Sequence, residues 1–361
     1  MRRPLRLPTL DWYLAANVAQ NFFFALGTLA VIFSIINATE ELQRVGVGTY
    51  GVRQALWFVC LTLPNEVYGL FPAAALLGIV IGLGGLAHRN ELIAIASSGV
   101  APARVVVSVM GWAAVVIVAG VLFSELVAAP LTYRARTERS IALSGGRALT
   151  SAGGLWARAG SSFVNMRTLL PNGAARDIYV YDFDDQHRMR RFTYAQSATY
   201  AGRQWTLESL VDKTITDDGV TTEEIATRPV PIELNPRQLH LMRMPLEELS
   251  LTDLYRGIDA ARRRGESADA LELAWWQRAT MPVVTAVMSF LAVALVLSSP
   301  RPLTLGRRIV VGSVIGIGFQ MLNPTFASFG LVFGFASWVS ALLPTSLALA
   351  FGIWCLLRSP L

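Results

Sequence analysis

Long apolar stretches fill both ends of the chain, and a polar, alternating pattern fills its middle. Apolar runs of about 18 or more residues can cross a ~30 Å hydrocarbon core at ~1.5 Å rise per residue. Transmembrane helices are predicted over 18–36, 67–87, 105–129, 280–298, 309–329 and 337–357. Ahead of the first, Leu10-Asp11-Trp12-Tyr13-Leu14 reads as an interfacial lead-in with aromatics at headgroup depth. The second apolar region opens near Ala55 and is interrupted at Pro64. Its main run carries Gly78, Gly82, Gly84 and Gly85, small residues that let helix backbones approach closely. The third run ends at Pro130. Between the second and third, residues 91–96 are apolar on one side and are followed by Ser97-Ser98-Gly99-Val100-Ala101-Pro102. That pattern predicts a short amphipathic helix at the membrane surface.

From Leu131 the pattern changes. Residues 131–148 start helical and are rich in arginine (Arg134, Arg136, Arg139, Arg147). Short alternating segments then predict strands at 161–168, 177–183, 191–200, 205–212 and 220–228. Turn signals separate them: Pro171-Asn172-Gly173, Ala201-Gly202 and Asp217-Asp218-Gly219. Many short strands at even spacing suggest an antiparallel sandwich or jelly roll. Helical periodicity returns over 246–264 and 268–278. The predicted fold class is membrane α-helical, three spans plus three, with an inserted all-β, jelly-roll-like domain. The predicted division is 1–130 (first membrane half, with the short helix within 88–104), 131–245 (β domain), 246–278 (helical connection) and 279–361 (second membrane half).

Composition agrees with that pattern, since 53% hydrophobic and 16% charged residues leave too little charge to cover a soluble surface. The formal charge of +6 sets topology and does not mark nucleic-acid binding. Arg2, Arg3, Arg6, Arg89, Arg104, Arg301, Arg307, Arg308 and Arg358 fall in segments on one side of the predicted spans. The short loops of the other side hold only Arg44 and Arg53. The positive-inside rule therefore puts both termini in the cytoplasm and the β domain outside it. The first apolar run lacks a small-residue cleavage site close behind it and reads as an uncleaved signal anchor. Cys60 and Cys355 sit in apolar stretches and read as buried hydrophobes, not a disulfide.

Candidate chemistry is sparse. There is no G-x-x-x-x-G-K-[ST] phosphate loop, and Lys213, the sole lysine, lies in the β region. His88, His187 and His240 show no H-x-H or H-E-x-x-H spacing, and no G-x-S-x-G elbow occurs. No catalytic residue and no metal ligand is predicted. The spans offer Glu125, Gln320 and Asn323 but no paired-acid relay of the kind an ion-coupled carrier needs. Glu125 reads as intramembrane or as reaching the interface. The short helix has the form by which a permease without its own ATPase takes up motion from one; an ordinary surface helix also fits. Glu40, Glu41 and Arg44 follow the first span, and Arg134, Arg136 and Arg139 follow the third. Around a cavity these charges ring its mouth, where arginine holds phosphate or carboxylate in bidentate fashion; a solvated helix extension is the other reading. In the β region Phe163, Asn165 and Arg167 alternate with Val164 and Met166, and Tyr179, Tyr181 and Phe183 with Ile178 and Val180. Two apolar faces fit a groove for acyl chains or plain packing.

Over essentially its whole length the chain resembles the permease subunits of the lipopolysaccharide export transporter, the LptF/LptG family. The coupling segment Arg89-Asn90-Glu91-Leu92-Ile93-Ala94-Ile95-Ala96-Ser97-Ser98-Gly99 carries the likeness. So do Leu10-Asp11-Trp12-Tyr13, Phe71-Pro72-Ala73-Ala74-Ala75-Leu76-Leu77-Gly78 and Gly154-Leu155-Trp156-Ala157-Arg158 with Phe163-Val164-Asn165, which look like the G type and not F. The resemblance implies a non-enzymatic permease subunit of an ABC-type exporter, multi-pass in a Gram-negative inner membrane. Such a subunit extracts lipopolysaccharide from the outer leaflet, between the first helix of one permease and the fifth of the other, and passes it to a periplasmic bridge towards the outer membrane. The implied partners are an F-type sister permease, a cytoplasmic ATPase dimer, a single-span regulatory subunit, the bridge protein, lipopolysaccharide and membrane lipid, with no nucleic acid. No cofactor is implied on this chain; ATP and Mg belong to the ATPase.

Carried over by position, Asn37, Glu40, Arg44, Arg136 and Arg139 match cavity-mouth positions that touch the phosphorylated headgroup. Phe163 and Tyr181 are further substrate-contact candidates in the β domain, and Arg89, Glu91, Leu92 and Ile95 are the ATPase-coupling candidates. Asn37 and Gln43 stand where some members carry basic residues. Either Arg44, Arg136 and Arg139 suffice, or the substrate carries different charge. The alternative reading is a membrane-anchored lipid-binding or scaffold protein whose β domain does the work without transport.

Overall fold

A computed structural model describes residues 8–143, 149–159, 162–169, 173–184, 186, 188–201, 204–216, 219–230, 244–263, 265–298 and 305–358. His187, His240, Arg147 and Arg301 lie outside them, as does most of the predicted turn signals. Among the described residues, six helices are long and apolar enough to cross a membrane, three before and three after a β domain. They contain α1 (Pro8–Leu42), α3 (Phe71–His88), α5 (Pro102–Phe123) continuing into α6 (Ala129–Leu143), α8 (Asp269–Leu297), α9 (Leu305–Phe333) and α10 (Ser337–Leu357).

α3 and α8 form the centre, with 67% of each apolar window buried, against 17% in α1 and 11% in α9. The last two helices therefore present bare apolar flanks to lipid or to another protein. Leu76, Ile79 and Leu83 of α3 and Met288, Leu291 and Ala292 of α8 meet Leu14 and Val18 of α1 and Val109 of α5 in one core. Glycine makes the α1–α3 contact possible. A Cβ on Gly78 would fall 2.5 Å from Phe22 Cα, and one on Gly82 would fall 2.8 Å from Asn17 Oδ1. Gly85 meets nothing within 4 Å.

Both prolines expected to break helices lie within continuous helical structure. Pro64 sits inside α2 (Val52–Gly69), and the break falls instead at Leu70, where Pro72 takes the first turn of α3 and its missing N–H costs nothing. α2 is not one of the six spans; it lies alongside α6. Pro130 does not end the third span. The turn Ser124–Ala128 is a π step in which Ala129 N–H reaches back to Ser124 C=O, and the helix resumes through Pro130 to Leu143.

The β domain is one antiparallel sheet of six strands in chain order: β1 (Leu149–Ala159), β2 (Ser162–Leu169), β3 (Ala175–Phe183), β4 (Met189–Ala201), β5 (Gln204–Thr216) and β6 (Gly219–Val230). The strands read from alternation are all present as β2–β6. β1 escapes that reading because its register slips between Thr150 and Leu155. Gly154 lies in that slip at φ +70°, with the Asn165 amide where a Cβ would sit. Alternation then sorts the faces. Val164, Met166, Ile178, Val180, Ala195 and Leu210 fill the core side. Trp156, Tyr179, Tyr181, Phe192 and Tyr194 stack across the other, with neighbouring ring centroids 5.2–5.7 Å apart in the pairs Tyr179–Tyr194, Tyr181–Phe192 and Trp156–Tyr181.

The return to the membrane runs through a 3-10 turn (Leu246–Glu248) and α7 (Leu251–Arg263), which packs Leu254 and Ile258 towards Leu271 and Trp275 of α8. Because α8 is unbroken from Asp269, Arg278 lies within the helix and not in a connection before it.

Candidate functional site

Where the first and third spans emerge towards the β domain, the predicted ring of charge is internally paired. Arg136 and Arg139 stand one turn apart on α6, and both guanidinium groups lie over the Phe58 ring of α2, at 5.1 and 4.9 Å. Arg136 grips Glu248 with two bonds, Nε donating to Oε2 at 2.6 Å and Nη2 to Oε1. Arg139 Nε donates to Glu41 Oε1 at 2.5 Å, and Tyr50 Oη donates to the same oxygen at 2.8 Å. Glu41 is therefore the buried acid of this junction, while Glu40 is exposed. Arg44 lies 3.9 Å from Glu41, and 52% of its side chain is exposed, so it is more open to an anion than Arg136 or Arg139; Arg134 is exposed as well. Asn37, half-buried on the last turns of α1, lies beside Glu66.

Beside this junction lies a cavity of about 340 Å³ between α2, α3, α8, α9 and the Leu246–Glu248 turn. Glu66, Gln277, Arg278, Gln320 and Asn323 supply its polar wall; Pro72, Met281, Val284 and Phe319 supply the apolar one. Gln320 and Asn323, legible as polar residues of the fifth span, thus meet here. Asn323 Oδ1 is buried and has no hydrogen-bond donor among the described residues.

Arg278 organises the cavity floor. Its Nε donates to Glu125 Oε1 at 3.3 Å, Nη2 to Ser124 Oγ at 2.7 Å and Nη1 to the Glu247 carbonyl at 3.1 Å. Glu125 Oε1 also accepts the Leu251 N–H at 3.3 Å. Glu125 is thus part of a structural ion pair. The π step puts Ser124 and Glu125 together on the side of Arg278.

Burial holds the Glu66 carboxyl above its usual range, and Glu248 pushes the same way; Arg136 and Asn37 pull against them. Relative to the unfolded chain, folding thus raises the proton affinity of Glu66. Stability falls as pH rises from the unfolded carboxylate value through the raised folded one. Glu66→Gln is expected to flatten that slope, so in detergent melts the variant holds its midpoint over the window where the parent chain declines.

On the opposite side of the membrane, α4 (Glu91–Ser97) is the predicted short helix. Left-handed residues bound it, Asn90 at φ +61° and Gly99 at φ +87°. Arg89 is largely exposed and 4.0 Å from Glu91. Leu92 packs inward against the core, Ile95 is half-buried, and Ile93, absent from the predicted contact set, is 65% exposed. The outward apolar residue is thus the one between the two chosen. In the β domain, Phe163 is 40% exposed and packs edge-on against Phe183, while Tyr181 stacks on Trp156. Both lie on the aromatic face and not in the core.

Six apolar helices split by an antiparallel β domain, with a polar cavity at their junction and a short surface helix opposite, define a multi-pass membrane protein. A profile of the family described as lipopolysaccharide export system permease LptF/LptG matches residues 12–358, and the chain belongs to that family. It is 33% identical over 352 residues to the lipopolysaccharide export system permease protein LptG of Haemophilus influenzae, covering 97% of this chain and 98% of that one. It is 28% identical over 352 residues to the protein of the same name from Escherichia coli K12, with the same coverage.

Proposed function

We propose that this chain is the G-type permease subunit of an ABC exporter that lifts lipopolysaccharide out of the inner membrane and passes it to a periplasmic bridge. The observation that carries this reading is the bareness of α1 and α9, the second of which lines a polar cavity. One chain alone encloses only half a chamber, and an F-type sister permease supplies the other half. Both termini then face the cytoplasm and the β domain stands in the periplasm, in keeping with the arginine distribution. The apolar walls of the chamber hold acyl chains. Arg44 meets headgroup phosphate first, and Arg136 and Arg139 follow by exchanging their carboxylate partners for it. The chain binds no nucleotide; ATP and Mg serve the cytoplasmic ATPase dimer that docks on α4. A single-span regulatory subunit completes the assembly.

Glu91→Ala tests the reading. The variant is expected to insert normally yet lose at least about tenfold in ATP-driven lipid release, the scale of a lost charge-assisted contact. If the β domain acts alone as a membrane-tethered binding protein, release is not ATP-driven and the substitution changes nothing; that result refutes the exporter reading.

A further inference from the structure

The aromatic lead-in at 10–14 has no part in the mechanism above, yet it ties α1 to the coupling segment. Tyr13 Oη donates to Glu91 Oε2 at 2.6 Å. Asp11, two residues earlier, accepts from Arg104 at 2.9 Å and from Ser108 at 2.5 Å, which fastens the same end of α1 to the start of α5. Leu10 and Leu92 pack against the core cluster that contains Leu14 and Val105. α4 is therefore joined to α3 and α5 by tight left-handed bends, and to α1 by a hydrogen bond onto a carboxylate, which is stronger than a neutral one. Beyond this end, α1 lies on α3 through Val18 and Phe22 and leaves Phe24, Val31, Ile32 and Ile35 exposed on its other side.

We propose that Tyr13 and Asp11 are positioning residues of the coupling step. They lock the cytoplasmic end of α1 to α4 and α5, so a shift imposed on α4 by the ATPase reaches α1 directly. α1 is a helix of 35 residues, about 50 Å long, whose far end borders the outer-leaflet junction. Charge-assisted hydrogen bonds that tie one end of such a rod to α4 and α5 let a shift of α4 move the rod with it. The proposal rests on the exporter reading and names the residues through which the ATPase would open the lipid entrance.

The test uses the full complex of both permeases and the ATPase, reconstituted with lipopolysaccharide. ATP hydrolysed and lipid released are both measured. Tyr13→Phe removes only a hydroxyl from a side chain that is 44% exposed, so the fold is kept. It is expected to leave ATP hydrolysis unchanged while lipid released per ATP drops roughly fivefold, the fold-change of one hydrogen bond's net worth. Asp11→Ala is expected to act in the same direction. Adding Tyr13→Phe to Glu91→Ala is expected to lower the ratio no further than Glu91→Ala alone. An unchanged ratio in Tyr13→Phe, or hydrolysis and release falling together, overturns the proposal. If the unmodified complex releases no lipid with ATP, the exporter reading itself fails, and this inference fails with it.

Discussion

Arg278→Leu is expected to destabilise the folded protein by about 3–5 kcal/mol, the cost of leaving one charge of a buried pair uncompensated. The side chain is 8% exposed, and its three nitrogens reach Glu125, Ser124 and the Glu247 carbonyl. Ser124 and Glu125 belong to the π step of the third span, and Glu247 to the turn that returns from the β domain. Removing the guanidinium therefore unties both segments from α8 and strands Glu125 beside the apolar end of α5. Adding Glu125→Leu removes the stranded charge, and the double variant is expected to recover more than half of the loss, because neither charge then needs a partner. Denaturant melts of the purified chain in detergent measure both. A single variant that melts like the parent would show that the pair is not a structural lock.

Gly78→Ala is expected to cost about 1–3 kcal/mol, because the added methyl drives into a helix backbone and not into a side chain that can turn aside. The new Cβ falls 2.5 Å from Phe22 Cα and 2.7 Å from Phe22 N, so α1 must move off α3 along their whole contact. Gly85→Ala is the matched control. No atom lies within 4 Å of its Cβ, and the same substitution there is expected to be neutral or to stabilise the helix by up to about 1 kcal/mol. Opposite signs for one substitution, seven positions apart in one helix, separate packing from propensity. Equal effects in the melts would contradict the close α1–α3 approach.

Much of this architecture was legible from the chain. Apolar runs long enough for a bilayer mark the spans, and period-two alternation marks β2 to β6. What escaped did so for identifiable reasons. Proline is a strong breaker only where its neighbours cannot adapt; a π step absorbs Pro130, and α2 continues through Pro64. β1 hides because its register slip interrupts the alternation. Glu41, not Glu40, takes the buried role because adjacent helical positions point about 100° apart, and only the position of α6 decides which acid meets Arg139. Ile93, not among the coupling candidates, is the exposed isoleucine of α4, while Ile95 is half-buried. The pairing of Glu125 with Arg278 spans 153 residues. Its signal was present, since opposite charges end two antiparallel spans on the same side of the membrane. Arg136 and Arg139 pair with Glu248 and Glu41, carboxylates that come from elsewhere in the chain and are not visible in local sequence.

The central claim is ATP-driven extraction of lipopolysaccharide by a two-permease chamber of which this chain forms half. Its most direct test places the chain, the F-type sister and the ATPase in proteoliposomes loaded with lipopolysaccharide, with a soluble periplasmic acceptor outside. The account predicts lipid transfer to the acceptor that requires ATP and this chain, and that falls with Glu91→Ala. Stable assembly with no ATP-dependent transfer, or transfer that continues when this chain is omitted, would contradict it.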